Sequence, residues 1–215
     1  MIVVLSGAPG AGKGTQGDLL AARCGFRKIS TGDALRNQVR LKTNIGLKAE
    51  ALMAQGKLVP DDVLFEVLKR ELGNNKGEKI LLDGYPRNVS QAETLSTLES
   101  IHPVASVVHL DVKRETLVRR LSGRRVCGQC GATYNVENKP TKKAGICDNC
   151  SGQVVQRPDD AEDKVAVRLD VFSNSTEPVF EYYRRHDLYC HMDGEGETEA
   201  VFIRLKKAVD QALSS

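Results

Sequence analysis

Near its start the chain reads Gly7-Ala8-Pro9-Gly10-Ala11-Gly12-Lys13-Gly14-Thr15, between an apolar run and an amphipathic stretch. Glycines let a backbone wrap closely around an anion with its N–H groups turned inward. The N-terminus of a following helix favours negative charge, and Lys13 brings a mobile full charge to terminal phosphates. One position departs from the general phosphate loop: Gly14 stands where Ser or Thr is expected, and Thr15 follows it. The chemistry is that of a nucleotide site, held by Gly10, Ala11, Gly12, Lys13, Gly14 and Thr15.

A second group has the spacing of metal ligands. Cys127-x-x-Cys130 and Cys147-x-x-Cys150 are separated by sixteen residues, which suits a four-thiolate zinc site. Four sulfur ligands leave no open position, so such a metal is structural. With no export signal in view, the spacing favours metal over disulfides, although spacing alone does not separate zinc from iron or cobalt. Cys24 and Cys190 stand alone and read as fillers of core gaps.

The third group is cationic. Guanidinium groups are permanently charged and bind phosphate oxygens bidentately, which makes Arg36, Arg87, Arg124, Arg157 and Arg168 candidates for handling several phosphates in one cleft. Singly, an arginine is more often a solvated surface residue. Arg87 escapes that default because it closes the turn Asp83-Gly84-Tyr85-Pro86-Arg87 at the carboxyl end of an expected strand. Asp83 ends the same strand and should face the phosphate loop. Its carboxylate suits magnesium, directly or through water, the alternative being a turn cap. Gln91 offers an amide matched to the edge of adenine.

Positioning these groups requires a sheet. Short apolar runs at 2–5, 28–29, 79–83, 106–111 and 189–192 alternate with helical patterns at 13–24, 64–72, 90–98, 115–121, 160–183 and 198–212. Pro178 should kink or divide the penultimate helix. The alternation predicts an α/β fold with a parallel five-stranded sheet covered on both faces, and ligands beyond the strands' carboxyl ends. Two stretches break the rhythm: 31–59 is helical without a strand, and 123–160 is too poor in large apolar residues to hold a shape without a staple.

At 215 residues the chain suffices for one core with inserted subdomains, and 40% hydrophobic and 27% charged residues are ordinary for a globular protein. The net charge of +3 is too mild for a nucleic-acid binder's whole-surface footprint. No apolar run approaches a membrane span and no targeting peptide precedes the first strand, so a cytoplasmic location is expected.

The motifs resemble those of the adenylate kinases along nearly the whole chain. The loop 7–15 matches that family's version, including the Gly-Thr ending. Ser30-Thr31-Gly32-Asp33 with Arg36, and Gly56-Lys57-Leu58-Val59-Pro60-Asp61, look like its AMP-binding insertion. Asp83–Arg87 with Gln91 is similar to its most recognisable motif. Arg120, Gly123-Arg124-Arg125 and Arg157-Pro158-Asp159-Asp160 through Arg168 resemble the arginine set that closes over the phosphates.

The resemblance implies a P-loop core at 1–29, 60–122 and 161–215, an AMP-binding insertion at 30–59 and a zinc-stapled lid at 123–160. It implies the reaction ATP + AMP = 2 ADP, with magnesium accompanying ATP, in a monomer. By analogy, Thr31, Arg36, the backbone of Lys57, Leu58 and Val59, then Gly84, Tyr85, Pro86, Arg87 and Gln91 form the AMP site. Arg120 and Arg124 serve ATP, while Arg157 and Arg168 bridge the reacting groups. Thr133, Tyr134 and the backbone of Gly196 lie near the ATP base. Catalysis falls to Lys13, Asp83, Arg87, Arg124, Arg157 and Arg168. No general base is needed, because the acceptor is an already ionised phosphate oxygen.

Three other readings compete with this one. A zinc-ribbon nucleic-acid module would need aromatic residues for stacking, and 123–160 has Tyr134 alone. A nucleotide switch leaves Arg36, Arg87 and Gln91 unexplained. A sibling enzyme acting on UMP, CMP or GMP is the closer rival, since single pocket changes alter base choice.

Overall fold

A computed structural model describes residues 1–73 and 77–214. Five strands, β1 (Ile2–Ser6), β2 (Arg27–Ser30), β3 (Ile80–Asp83), β4 (Val104–Asp111) and β8 (Tyr189–Asp193), form one parallel sheet in the order β2-β3-β1-β4-β8. The central strands β1 and β3 are apolar up to their last residues, Ser6 and Asp83, because both faces are covered. Val3, Leu5, Leu81, Val108 and Leu110 face one layer, with Leu20 of α1 (Lys13–Cys24) and Val201, Phe202 and Leu205 of α9 (Thr198–Ser214). Ile2, Val4, Ile80, Leu82 and Val107 face the other. There they meet α4 (Asp61–Leu72), α5 (Val89–Ser96) and α8 (Glu177–Arg184). This is the predicted α/β architecture.

The carboxyl ends of β1, β3 and β4 converge on the phosphate loop. Leu5 is in register with Asp83 on one side and Val108 on the other. The loop crosses β4 so closely that a Cβ on Gly7 (φ 146°) would stand 2.7 Å from the Leu110 carbonyl oxygen. Only glycine fits this crossing.

Boundaries moved where local signals are weak. β4 starts at Val104 rather than 106, and α4 starts at Asp61 rather than 64, its first turn being polar. The predicted helix over 160–183 divides into α7 (Glu162–Val171), a π-helical turn over Phe172–Thr176, and α8. The break lies ahead of Pro178, which occupies the first turn of α8, where its missing N–H costs nothing. Cys24 and Cys190 are half-buried against the core, as read from the sequence.

Between β2 and α4 lie two helices, α2 (Thr31–Arg40), N-capped by Ser30, and α3 (Asn44–Ala54), N-capped by Thr43. α6 (Arg114–Gly123) follows β4 and runs into an antiparallel sheet of three short strands: β5 (Arg124–Cys127), β6 (Thr133–Asn135) and β7 (Val154–Val155). No strand was expected there, since strands of this length carry no readable alternation. Its small core is Cys127, Tyr134 and Cys147, with Ala132 and Val154 against it. Among the described residues, no helix is long and apolar enough to cross a membrane.

Candidate active site and metal centre

The phosphate loop ends where α1 begins, with Gly12 in the left-handed region (φ 99°) as its N-cap. The Lys13 ammonium folds back over the loop and donates to the carbonyls of Gly7 (2.7 Å) and Ala8 (3.0 Å). Burial pushes its pKa down to about 8; Asp83 opposes that, while Arg87, Arg168 and Arg124 add to it. Lys13, Asp83, Arg87, Arg124 and Arg168 thus sit within one electrostatic neighbourhood, although they come from well-separated parts of the chain. Thr15 is exposed on the first turn of α1, and Arg120 donates to the Ala11 carbonyl (3.4 Å).

Asp83 is nine-tenths buried at the end of β3. The chain then turns through Gly84 (φ 83°), where a Cβ would lie 2.9 Å from the Arg87 guanidinium and 3.2 Å from the Thr31 hydroxyl. Both side chains use the Gly84 carbonyl: Thr31 Oγ1 donates to it at 2.9 Å and Arg87 Nε at 2.7 Å. Thr176 Oγ1 donates to the Arg87 carbonyl (2.9 Å), tying the motif to the π-helical turn. Tyr85 is fully buried, with Pro86 beside it after a cis peptide bond. Arg36 lies one helical turn from Asp33 and pairs with it. In the 57–59 segment, Val59 is buried, Leu58 half-buried and Lys57 exposed.

Gln91 is buried, and its amide is engaged at both ends. Oε1 accepts from the backbone N–H of Arg87 (2.7 Å), and Nε2 donates to Asp61 (2.6 Å).

Arg124 and Arg168 meet on one carboxylate. Asp160, wholly buried, accepts from Arg124 Nε (2.7 Å) and Nη2, and from Arg168 Nη1 (2.6 Å). Arg168 also pairs with Asp159 at 2.9 Å. Arg157 lies close enough to Arg36 and Arg124 to feel their charge, and its buried Nε has no hydrogen-bond partner among the described residues. Burial lowers the pKa of Arg87, Arg157 and Arg168, although guanidinium groups of such basicity stay charged. From the sequence, Asp159 and Asp160 are members of a motif, with a lid hinge expected near Asp160. The available signal is an aspartate pair one residue beyond an arginine, Arg157-Pro158-Asp159-Asp160, but burial is what gives it meaning.

The four cysteines come together. Their sulfurs all lie within 4.8 Å of one another, with Cys127–Cys150 at 3.4 Å and Cys130–Cys147 at 3.5 Å. A tetrahedral ZnS4 centre with bonds of ~2.3 Å has sulfur–sulfur edges of ~3.8 Å, so the quartet fits the ion. Tyr134 belongs to this cluster. Its ring is buried, and its hydroxyl donates to Cys147 Sγ (3.3 Å) and accepts from the Asp148 N–H (2.8 Å). That donated bond is the first cause holding the Cys147 thiol down at about 6. Thr133 and Gly196 are exposed, the latter in the left-handed turn that precedes α9.

The family model for adenylate kinase matches residues 5–188. The chain belongs to the adenylate kinase family. Relatives of that name resemble it over nearly their whole length. That of Methanosarcina acetivorans is 45% identical across 96% of this chain and 97% of the relative. That of Methanocella arvoryzae is 44% identical across 97% and 98%, and that of Hydrogenobaculum sp. 43% across 96% and 99%.

Proposed function

We propose that this chain carries out its family's reaction, ATP + AMP = 2 ADP, by electrostatic positioning of two polyanions end to end. The observation that carries the reading is that Lys13, Arg87, Arg124 and Arg168 lie within reach of one another's charge, with Asp83 beside Lys13 and Arg87 and with Asp159 and Asp160 beside Arg168. Transfer between two nucleotides gathers negative charge that the protein must neutralise, align and keep from water.

In this reading the loop 10–15 and Lys13 hold the ATP phosphates, with Arg120 and Arg124 alongside. Arg36 and Arg87 hold the AMP phosphate, and Arg157 and Arg168 span both. The unpartnered Nε of Arg157 is a donor that a phosphate oxygen would satisfy. Thr31, the backbone of Lys57–Val59, Gly84–Pro86 and Gln91 enclose the AMP nucleoside. Thr133 and Gly196 border the ATP base, whereas Tyr134 works through the cysteine cluster. Asp83 would hold the magnesium of MgATP, which neutralises phosphate charge when bound. A structural zinc would be held by Cys127, Cys130, Cys147 and Cys150.

Residues 30–59 and 123–160 act as moving insertions on a core of 1–29, 60–122 and 161–215. Rotation near Gly123 and Asp160 opens the lid to admit substrates, and closure excludes water. The enzyme works as a cytoplasmic monomer. Rates with AMP, GMP, CMP and UMP, each with MgATP, test the assignment: AMP should be preferred by a wide margin. A preference for UMP or CMP would transfer the site to a sibling reaction, and failure to bind two nucleotides at once would sink the mechanism.

A further inference from the structure

We propose that Asp61 is a specificity-determining positioning residue, which sets the orientation of the Gln91 amide and so the choice of a 6-aminopurine over a 6-oxopurine. The inference rests on the reading that Gln91 meets the base of the monophosphate.

Asp61 opens α4, directly after the 57–60 segment, and its half-buried carboxylate turns back toward the start of α5. It accepts from Gln91 Nε2 at 2.6 Å and from Asn88 Nδ2 at 3.0 and 3.1 Å. Asn88 in turn caps α5, its Oδ1 accepting from the Gln91 N–H at 2.8 Å. One carboxylate therefore joins the two chain segments assigned to the AMP pocket.

The chemistry of the partners fixes the amide. An ionised carboxylate only accepts hydrogen bonds and a backbone N–H only donates them. Nε2 must then face Asp61 and Oε1 must face the Arg87 N–H. Flipping the amide would set oxygen against carboxylate and N–H against N–H, breaking both bonds together.

What remains on Gln91 is one amide hydrogen and one oxygen lone pair. Adenine presents an acceptor at N1 beside a donor at its 6-amino group, which complements that pair. Hypoxanthine and guanine present a donor at N1 beside an acceptor at O6, which a freely flipping glutamine would satisfy and a fixed one would not. Without Asp61, one bond instead of two holds the orientation, and the preference should fall by about tenfold for the hydrogen bond lost.

The test is the ratio of kcat/KM for AMP to that for IMP, with MgATP in both cases. Asp61→Ala should lower the ratio about tenfold, mainly through KM. Asp61→Leu, which keeps volume without an acceptor, carries the same expectation should the alanine variant fold poorly. Asp61→Asn retains an acceptor oxygen and should keep most of the ratio. A residue acting only through its charge or through helix stability would lose as much in Asp61→Asn as in Asp61→Ala. Gln91→Ala sets the scale. A ratio that collapses in Gln91→Ala but holds in Asp61→Ala overturns the role of Asp61 alone. A ratio unchanged in Gln91→Ala means that Gln91 does not read the base, and both readings fall.

Discussion

Arg124 and Asp160 face each other fully out of water's reach on the aspartate side, the guanidinium spanning both carboxylate oxygens, with Arg168 on one of the same oxygens. Removing one partner of a buried ion pair leaves the rest uncompensated, typically at a cost of about 3–5 kcal/mol. Asp160→Ala should therefore lower Tm markedly in the free protein. Phosphates bring replacement negative charge to the same arginines, so saturating ATP and AMP should restore much of the loss. Thermal melts with and without nucleotides check this; an equal loss in both would mean that Asp160 serves the fold and not the phosphate-binding arginines.

Lys13 carries two opposed expectations. Its folded pKa of about 8 lies below the unfolded value of ~10.4, so the native state is penalised for holding the proton. That penalty is present in full below pH 8 and is relieved as pH rises from there toward 10. Lys13→Met removes it, and should raise Tm by about 2 °C or more at pH 7. The same change should cut kcat by about 100-fold or more, as loss of a preorganised donor does. Turnover near wild type would take Lys13 out of the mechanism, and a lower Tm would contradict the burial penalty.

The same shift predicts proton linkage. Above pH 8 the free protein increasingly holds Lys13 neutral, whereas phosphates favour its ammonium form. ATP binding at pH 8.5 should take up more than about half a proton, and affinity should weaken as pH rises through 8. Titration calorimetry in two buffers of different ionisation enthalpy measures the uptake. No uptake in wild type would place the Lys13 pKa well above 8.

Arg87 sits on the Gly84 carbonyl beside Thr31, whereas Lys13 folds over the Gly7 and Ala8 carbonyls. Arg87→Ala should weaken AMP much more than ATP, by about tenfold or more for a lost charge-assisted contact. Separate binding titrations read this directly. Equal losses would reassign Arg87 to the space between the substrates.

The cysteine lobe has almost no core of its own: Cys127, Tyr134 and Cys147, with Ala132 and Val154 against them. Zinc extraction by a chelator should release about one ion per chain, lower Tm and unfold the 123–160 segment, since the metal is the staple of so small a core. Elemental analysis with hydrogen exchange over that segment checks it. Unchanged exchange after metal loss would refute the structural role.

Local pattern alone determined the glycine loop, the Asp83–Arg87 turn, the cysteine spacing and the alternation that makes a parallel sheet. Each is a short stretch whose own steric or chemical demands leave few alternatives. Tertiary structure decided the rest. The bond between the Tyr134 hydroxyl and Cys147 has no signal in the sequence, and the three short strands of that lobe are too brief to show a period. Asp160 and Asp61 stand in the sequence as members of motifs with no partner to be read from it, yet one is buried under two arginines and the other holds the Gln91 amide from thirty residues away. An isolated carboxylate does not reveal its partners. Burial and the company it keeps depend on which distant segments the sheet brings to its carboxyl edge, and that is a property of the whole fold.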